Sequence, residues 1–315
     1  MTVAAILLVY AASAGTVGPR LLGRARWALR APLLGIAVYL AAAWSVLAAL
    51  GLAGLTLAVH ATALGSGLSQ LIGACVLRLR DTYATPGGAA VAGLGLTLAG
   101  AVMARTALTA ATHLHAIRQQ AVRHAQTARL VGRPDPDLGA TLVDHAQPAA
   151  YCVAGPHPTV ILTTAALQAL NPDQVDAVLA HERAHLARHH HQLLAIARIG
   201  RRVLPFLPLM READTQITRL VEMHADDAAT ANRGTGPLAT ALVVLAAAAG
   251  PAPGLAAAAT DAVQRIQRLL RPAQPLSRVR RQLLGAGAAV LALTPVVLAL
   301  TPAILALALG KVPAA

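Results

Sequence analysis

The chain has 315 residues, of which 56% are hydrophobic and only 12% are charged. Ordinary globular chains carry roughly 25% charged residues, so this composition argues against a purely soluble protein and indicates several helices that span a lipid bilayer. The net charge of +13 does not indicate a nucleic-acid partner, because the basic residues cluster beside apolar runs and no aromatic-interleaved basic patch is present.

The first apolar run covers residues 3–18, and basic residues follow it rather than precede it. A secretory signal peptide carries its positive charge before the apolar run, so we expect a membrane helix here, with a cleaved signal as the alternative. Basic residues mark the cytoplasmic side, so the N-terminus is predicted to lie outside. The basic residues that follow are Arg20, Arg24, Arg26 and Arg30.

The next stretch, residues 31–77, contains no Lys, Arg, Asp or Glu, and it has room for one spanning helix or for two. These alternatives place the rest of the chain on opposite sides of the membrane. Residues 104–282 hold 19 Arg against 12 acidic residues, which favours the cytoplasm for them and a single span at about 32–57. Residues 62–77 are then predicted to lie on the outer interface, and residues 86–110 to form the third span.

The final apolar run extends from Leu283 to Leu309 and predicts a fourth spanning helix. The predicted fold class is therefore an α-helical multi-pass protein of the plasma membrane, with both termini outside. Residues 1–110 form a three-helix membrane region and residues 282–315 contain the last helix. Residues 111–281 form a cytoplasmic α+β domain, inserted between the third and fourth spans.

The insertion begins as a continuation of the third helix, because residues 104–130 contain neither Pro nor Gly. A break is predicted at residues 132–137, where Gly, Pro and Asp cluster. Residues 138–163 hold short β-like runs separated by Pro and Gly, which predict a sheet of about three strands. The string Asn171-Pro-Asp-Gln then predicts the capped start of a helix.

That helix carries the string His181-Glu-Arg-Ala-His185. Residues four apart on a helix point the same way, so the two imidazoles can converge on one metal ion. Glu182 flanks them and is placed to activate a metal-bound water. The motif predicts a catalytic zinc site, with His181 and His185 as ligands and Glu182 as the general base.

A catalytic zinc ion needs a third protein ligand and an open position. His191 has the spacing of a longer histidine motif, but an Arg stands three residues after His185 where that motif needs Gly. An unbroken helix would carry His191 about 9 Å beyond His185. His189 lies two full turns from His181, which is too far for both to share one tetrahedral site.

The remaining candidate is Glu222, with Asp226 four residues later on the same helical face. A carboxylate ligand, with a second carboxylate that orients a ligand imidazole, suits a catalytic zinc site. We therefore favour Glu222 as the third ligand and Asp226 as its support, and expect one zinc ion per chain. His224 and Asp227 point away from that face and are interpreted as surface residues.

The residue that stabilises the oxyanion is not determined by these patterns, and His190, Arg219 and Tyr151 are all candidates. Basic residues near the last span recur every three positions. We interpret them as a solvated basic face at the anionic membrane surface, namely Arg265, Arg268 and Arg271.

The sequence resembles the gluzincin membrane peptidases, and among them the BlaR/MecR-type sensor-transducer metallopeptidases. The resemblance extends over about residues 138–227, including the zinc-motif helix and the Glu222 segment. It implies the same ligand, base and supporting roles that the residue pattern predicts. It also implies that the strand at Val160, Ile161 and Leu162 is a sheet edge that pairs with an extended substrate.

Beta-lactam sensors of this family continue into an extracellular penicillin-binding domain. We expect no such domain after the last predicted helix, and no Ser-x-x-Lys acylation motif is present in the sequence, so the chain resembles the short, sensorless members. The resemblance implies peptide-bond hydrolysis in regulatory signalling, by self-cleavage or by inactivation of a BlaI-like transcriptional repressor.

Two alternatives remain open. One is a quality-control membrane peptidase resembling HtpX, which would cut many misfolded proteins. The other, of a different class, is an inactive membrane-tethered module that binds a partner. The presence of Glu182 argues against the inactive module, because a binding module has no need of a general base.

Overall fold

The apolar runs of the sequence form long helices in the computed structural model, which describes residues 2–58, 88–155, 157–248, 256–271 and 274–308. The helices of these residues are α1 (Thr2–Thr16), α2 (Gly18–Gly23), α3 (Pro32–Ala58), α4 (Gly88–Val131), α5 (Thr164–Ala169), α6 (Pro172–Ala187), α7 (His190–Val203), α8 (Pro208–Thr230), α9 (Gly236–Ala248), α10 (Ala256–Leu270) and α11 (Arg278–Ala308). A 3₁₀ turn, Arg26–Arg30, leads into α3. The strands are β1 (Gly132–Asp135), β2 (Ala140–Val143), β3 (Ala150–Val153) and β4 (Thr159–Thr163).

Four segments of the described chain are long and apolar enough to cross a membrane, judged by length and composition. They are Thr2–Gly23, Pro32–Ala58, Ala89–Val131 and Arg278–Thr301, and each overlaps one of the predicted spans. Helix α3 lies at the centre of this bundle, because α1, α4 and α11 all pack against it. The predicted interfacial segment, residues 62–77, lies outside the described residues.

Helices α3 and α4 touch backbone to backbone at a pair of glycines. A Cβ atom on Gly54 would lie 2.6 Å from the carbonyl oxygen of Gly95, and the reverse contact has the same distance. A larger residue at either position would push the helices apart, so this pair sets their spacing. Helix α4 then continues past its apolar part to Val131, which confirms the predicted extension over residues 104–130.

The sheet that follows α4 has four described strands in the order β1-β2-β4-β3, one more than predicted. The additional strand is Gly132–Asp135, which pairs antiparallel with β2 and was predicted only to break the helix. Its Pro is compatible with a strand here because β1 is an edge strand, where a missing amide hydrogen need not cost a ladder hydrogen bond.

The prediction that Val160, Ile161 and Leu162 form a sheet edge is wrong. They lie in β4, which pairs in parallel with β2 on one side and antiparallel with β3 on the other. All three are buried, since α4 covers one face of the sheet and α6 covers the other. A run of consecutive apolar residues is typical of a strand covered on both faces. The sheet ends at β3 on this side, so β3 is the edge strand.

Helix α6 begins where the sequence predicts. The Asn171 side chain accepts a hydrogen bond from the Gln174 backbone, and the Gln174 side chain accepts one from the Asn171 backbone. This reciprocal pair is a complete capping box. The helix ends at Ala187, and His189 in the left-handed conformation (φ 52°) turns the chain into α7.

Helix α8 joins the insertion to the membrane helices. Near its start, Leu209 and Met210 share a buried cluster with Val46 of α3. Further along, Leu220 shares a second buried cluster with Ile36, near the start of α3. The helix that carries Glu222 is therefore held directly by the apolar bundle.

Candidate active site

Helices α6 and α8 bring three metal-binding side chains together. Nε2 of His181 lies 3.1 Å from Nε2 of His185, because residues four apart share one face of α6. Glu222 approaches from α8, with Oε2 3.5 Å from His181 Nε2 and Oε1 3.6 Å from His185 Nε2. In the described part of the chain, these residues form a group whose ligand atoms all lie within 4.8 Å of one another.

The spacing of these donor atoms fits a tetrahedral zinc ion. Bonds of roughly 2.0–2.1 Å at a tetrahedral angle place two ligand atoms about 3.3 Å apart, close to the 3.1–3.6 Å distances here. Two imidazoles and one carboxylate are also a donor set of catalytic zinc sites, in which a fourth position stays open. The structure thus brings together the three side chains that the sequence suggested as ligands.

Asp226 contacts His181 on the side away from this position. Its Oδ1 lies 3.1 Å from His181 Nδ1, and the Asp226 side chain is fully buried. Arg265 of α10 donates two hydrogen bonds to the same carboxylate, from Nε to Oδ2 at 2.9 Å and from Nη2 to Oδ1 at 2.7 Å. Its Nη1 also lies 2.9 Å from Glu222 Oε2. One guanidinium therefore holds both carboxylates of the site.

The charges of the site are suited to a dication. Burial alone would raise the pKa values of Glu222 and Asp226, but hydrogen bonds and charge from His181 and Arg265 outweigh it and lower both pKa values to about 2. Burial lowers the pKa of His181, but its two carboxylate partners outweigh that effect and raise this pKa to about 9. A metal ion must therefore displace a proton from His181 at neutral pH.

Glu182 lies against the edge strand β3. Its carboxylate lies beside the thiol and the backbone of Cys152. Burial raises the pKa of Glu182, and the charge of Glu222 acts in the same direction. A carboxylate with a raised pKa can take a proton from water and return it. The Cys152 thiol stays neutral, because burial raises its pKa to about 12.

Two further histidines lie behind His185. Its Nδ1 is 3.1 Å from Nδ1 of His190, and Nε2 of His190 is 3.0 Å from Nδ1 of His224. His224, predicted to be a surface residue, is instead half-buried, because α7 folds back against α8 and brings His190 onto it. Asp227 is exposed, as predicted. His190 is fully buried and lies on the far side of His185 from the metal position, so it is not placed to stabilise an oxyanion. The tight turn that produces this arrangement had no recognisable signal in the sequence.

The other histidines and oxyanion candidates lie elsewhere. His189 is exposed and forms the turn before α7, while His191 and Tyr151 line a cleft beside the site. Arg219 lies beside the carboxylate of Asp261, with Nε 3.8 Å from Oδ1.

The interpretation of Arg265, Arg268 and Arg271 as a solvated face is wrong for the first two. Helix α10 packs against α8, so Arg265 faces the two carboxylates of the site. Arg268 donates hydrogen bonds to Asp227 and to the carbonyl oxygen of Leu29. Arg271 alone of the three is exposed. The carboxylates opposite α10 belong to a different helix, so a pattern within α10 could not predict these contacts.

A cleft of about 1350 Å³ runs along the edge strand β3. Helices α4 and α7 form its walls, and Cys152 and Leu186 line it near Glu182, which lies one turn before Leu186 on α6. Most of its lining is apolar. The charged residues that line the cleft are all basic, and they are Arg118, Arg183 and Arg198. None of the described lining residues is Asp or Glu.

Comparison with protein-family models matches residues 111–273, just over half of the chain, to the model described as Peptidase family M48. Comparisons with curated proteins and with solved structures gave no match. The matched residues include the metal-binding group, Glu182 and Arg265. Members of this family are zinc metallopeptidases, in agreement with the donor set of the site. The chain therefore belongs to peptidase family M48.

Proposed function

We propose that this chain is an integral-membrane zinc endopeptidase that acts in regulatory signalling. The observation that carries the proposal is the convergence of His181, His185 and Glu222 at the spacing of zinc ligands, with Glu182 beside the edge of a sheet. Membership of family M48 supports the reaction, hydrolysis of peptide bonds. The BlaR/MecR-type assignment is the finer part of the proposal. It is supported by three apolar helices before the insertion and one after it.

In this mechanism His181, His185 and Glu222 would hold the zinc ion, and Asp226 orients the His181 ring. Zinc held there would supply Lewis-acid chemistry to the scissile carbonyl and to a water molecule. Glu182 takes a proton from that water and passes one to the leaving amine nitrogen. The raised pKa of Glu182 suits both steps, because this carboxylate holds the proton between them.

The substrate is an extended peptide that adds to the free edge of β3. Backbone pairing with an edge strand holds a peptide without demanding particular side chains. The position of Cys152 beside Glu182 supports a substrate-binding role for this edge. The cleft along β3 has room for substrate side chains. Its apolar walls favour apolar segments, and its Arg residues favour acidic ones.

The proposal places the insertion in the cytoplasm and both termini outside, as the basic residues of the sequence predict. Arg105, on α4, donates hydrogen bonds to the carbonyl oxygens of Arg202 and Val203 at the end of α7. These bonds connect α7 of the insertion to the third apolar helix, α4. Fusion of alkaline phosphatase to the C-terminus tests the orientation. An active phosphatase is expected if the C-terminus lies outside. An inactive phosphatase, together with fluorescence of a cytoplasmic reporter fused at the same position, would contradict the predicted orientation.

The cleft also favours a second candidate function, quality control of membrane proteins by an HtpX-like peptidase. Its mostly apolar walls suit apolar segments that misfolded membrane proteins expose. The two candidates share one active site and differ in the number of substrates. A signalling peptidase cuts itself or one repressor, whereas a quality-control peptidase cuts many unrelated proteins.

The first test is the zinc content of detergent-purified protein, with wild type beside Glu182→Gln and Glu222→Ala. We expect about one zinc ion per chain in wild type and in Glu182→Gln, and weakened or lost binding in Glu222→Ala. Folded wild-type protein without zinc would contradict the proposed function.

The second test is proteolysis by the same proteins. Wild type is expected to cleave itself or a co-expressed BlaI-like repressor, and Glu182→Gln to be about 10²–10⁴-fold slower. Cleavage of many unfolded membrane proteins, with no effect on itself or the repressor, would favour quality control. Zinc binding without any hydrolysis would leave the partner-binding module as the remaining function.

A further inference from the structure

The two ligand imidazoles have different partners behind them. A metal-bound His needs a hydrogen bond at its second ring nitrogen, which fixes the tautomer and the orientation of the ring. Asp226 provides that partner for His181. Behind His185 the partner is instead an imidazole, because His185 Nδ1 lies 3.1 Å from Nδ1 of His190.

The turn between α6 and α7 produces this contact. Helix α6 ends at Ala187, and the left-handed His189 reverses the chain, so His190 begins α7 beneath the last turn of α6. The rings of His185 and His190 are nearly perpendicular, at 87°, with centroids 4.8 Å apart. His190 is fully buried, so water does not compete for its ring nitrogens.

The metal position determines how the protons lie along this chain of rings. His185 Nε2 faces the metal position and must keep its lone pair free, so the proton of the neutral ring is on Nδ1. His190 Nδ1 then accepts that hydrogen bond, and the proton of His190 is on Nε2. His190 Nε2 donates to His224 Nδ1 at 3.0 Å, which leaves the proton of His224 on its own Nε2. One neutral tautomer of each ring therefore satisfies every contact.

We propose that His190 and His224 are positioning residues, which hold His185 in the tautomer and orientation that bind zinc. This inference rests on the proposed function, because it assigns a role toward the zinc ion of that site. His190 acts on His185 directly. His224, on the same helix as Glu222, acts one step further away by fixing the tautomer of His190.

The two supports have different electrostatic effects. The anionic Asp226 strengthens the basicity of His181, whereas a neutral imidazole strengthens that of His185 less. An anionic partner at position 190 is therefore expected to tighten zinc binding. A partner that cannot accept a hydrogen bond is expected to weaken it, even if it fills the same volume.

The test compares zinc affinities of the full-length protein in detergent, measured by competition with a chromophoric chelator. His190→Leu removes the acceptor and retains an apolar side chain of similar size. His190→Asn retains an acceptor oxygen near the position of Nδ1. We expect His190→Leu to bind zinc about 10–100-fold more weakly, His190→Asn to stay within about threefold of wild type, and His190→Asp to bind more tightly.

The matched control is His191→Leu, the same exchange one position along α7. His191 makes no hydrogen bond with the metal-binding group among the described residues, so wild-type affinity is expected. Visible spectra of the cobalt-substituted proteins give a second readout that does not depend on activity. The d–d bands should change in His190→Leu and remain as in wild type in His190→Asn, because only the former frees the His185 ring.

Unchanged affinity and unchanged cobalt bands in folded His190→Leu would overturn the proposal. Equal losses in His190→Leu and His190→Asn would also overturn it, since they would show that position 190 acts only through packing. If His190→Leu does not fold, the less buried variant His224→Leu tests the proposal instead. A several-fold loss of zinc affinity in His224→Leu supports the positioning role, and wild-type affinity overturns it. Absence of zinc from wild type would instead refute the proposed function itself.

Discussion

Replacement of Arg265 by Met tests the charge arrangement of the site. The guanidinium contacts the buried Asp226 through two hydrogen bonds and Glu222 through a third contact. Met has a similar length and fills much of the same volume, but it offers no charge. The variant therefore leaves two carboxylates close together, with only His181 to balance them.

The structure gives the size of the effect. The pKa of Asp226 falls from 3.8 to about 2, which corresponds to about 2 kcal/mol of stabilisation of its charged form at neutral pH. Glu222 adds less per proton, because its side chain is 34% exposed and solvent screens its charge. Removal of one partner from a buried ion pair costs about 3–5 kcal/mol. We expect the metal-free Arg265→Met protein to lose about 3 kcal/mol in its free energy of unfolding.

The dependence on pH follows from the lowered pKa of Asp226. The contribution of Asp226 to the free energy of unfolding is complete above the pKa of 3.8 that its carboxyl has in the unfolded chain. It is lost as the pH falls through about 2. The difference in stability between wild type and Arg265→Met should therefore be constant between about pH 6 and 8 and shrink in acid. Bound zinc should also reduce the difference, because the ion supplies positive charge to Glu222.

The assay is denaturant unfolding of the detergent-purified, chelator-treated protein, followed by far-ultraviolet circular dichroism. The control is Arg201→Met, which breaks the pair with Asp214 where the Arg side chain is 57% exposed. That variant should lose about 1 kcal/mol, because solvent screens the exposed Arg201 while the buried Asp214 loses one hydrogen bond. Equal stability of Arg265→Met and Arg201→Met would refute the reasoning that Arg265 holds the site together.

Further predictions concern the framework around the site. A Cβ atom on Gly35 would lie 2.8 Å from Leu220 Cδ1 and 3.0 Å from Ala28 Cβ, so Gly35→Val should overpack the contact with α8, cost about 1–3 kcal/mol and weaken zinc binding in a chelator competition. Gly51→Val on the same helix meets no atom within 4 Å and should leave zinc affinity unchanged; equal behaviour of the two variants would contradict this coupling. Asn171→Ala removes the capping box of α6 and should lower the unfolding free energy by about 1 kcal/mol. If Asn171→Asp, which retains an acceptor, loses as much, the cap is not the cause.

Local features of the sequence were sufficient for several predictions. The helix start at Asn171 was predicted because a capping box is complete within four residues. The pairing of His181 with His185 follows from the repeat of a single helix, and the continuation of α4 over residues 104–130 follows from the absence of Gly and Pro there. Each of these features depends on neighbours within a few positions along the chain.

The failed predictions all depended on how separate helices and strands pack against one another. The residues of β4 do not indicate that β3 pairs with the side of β4 that faces away from β2. The role of Arg265 depends on α10 packing against α8, some 40 residues earlier in the chain. His190 reaches His185 only because the chain reverses at His189.

The sequence by itself determined the apolar helices, the capped helix and the residue types of a zinc peptidase, because hydropathy, capping and helical periodicity are local properties. Only the tertiary structure decided which strand is the edge beside Glu182, which cation holds the carboxylates and which imidazole supports His185. The physical reason is that edge exposure, charge pairing and burial depend on what packs against a residue. Those neighbours come from other elements of the fold. Arg265 lies 39 residues after Asp226, and His190 reaches His185 only because the chain reverses at His189.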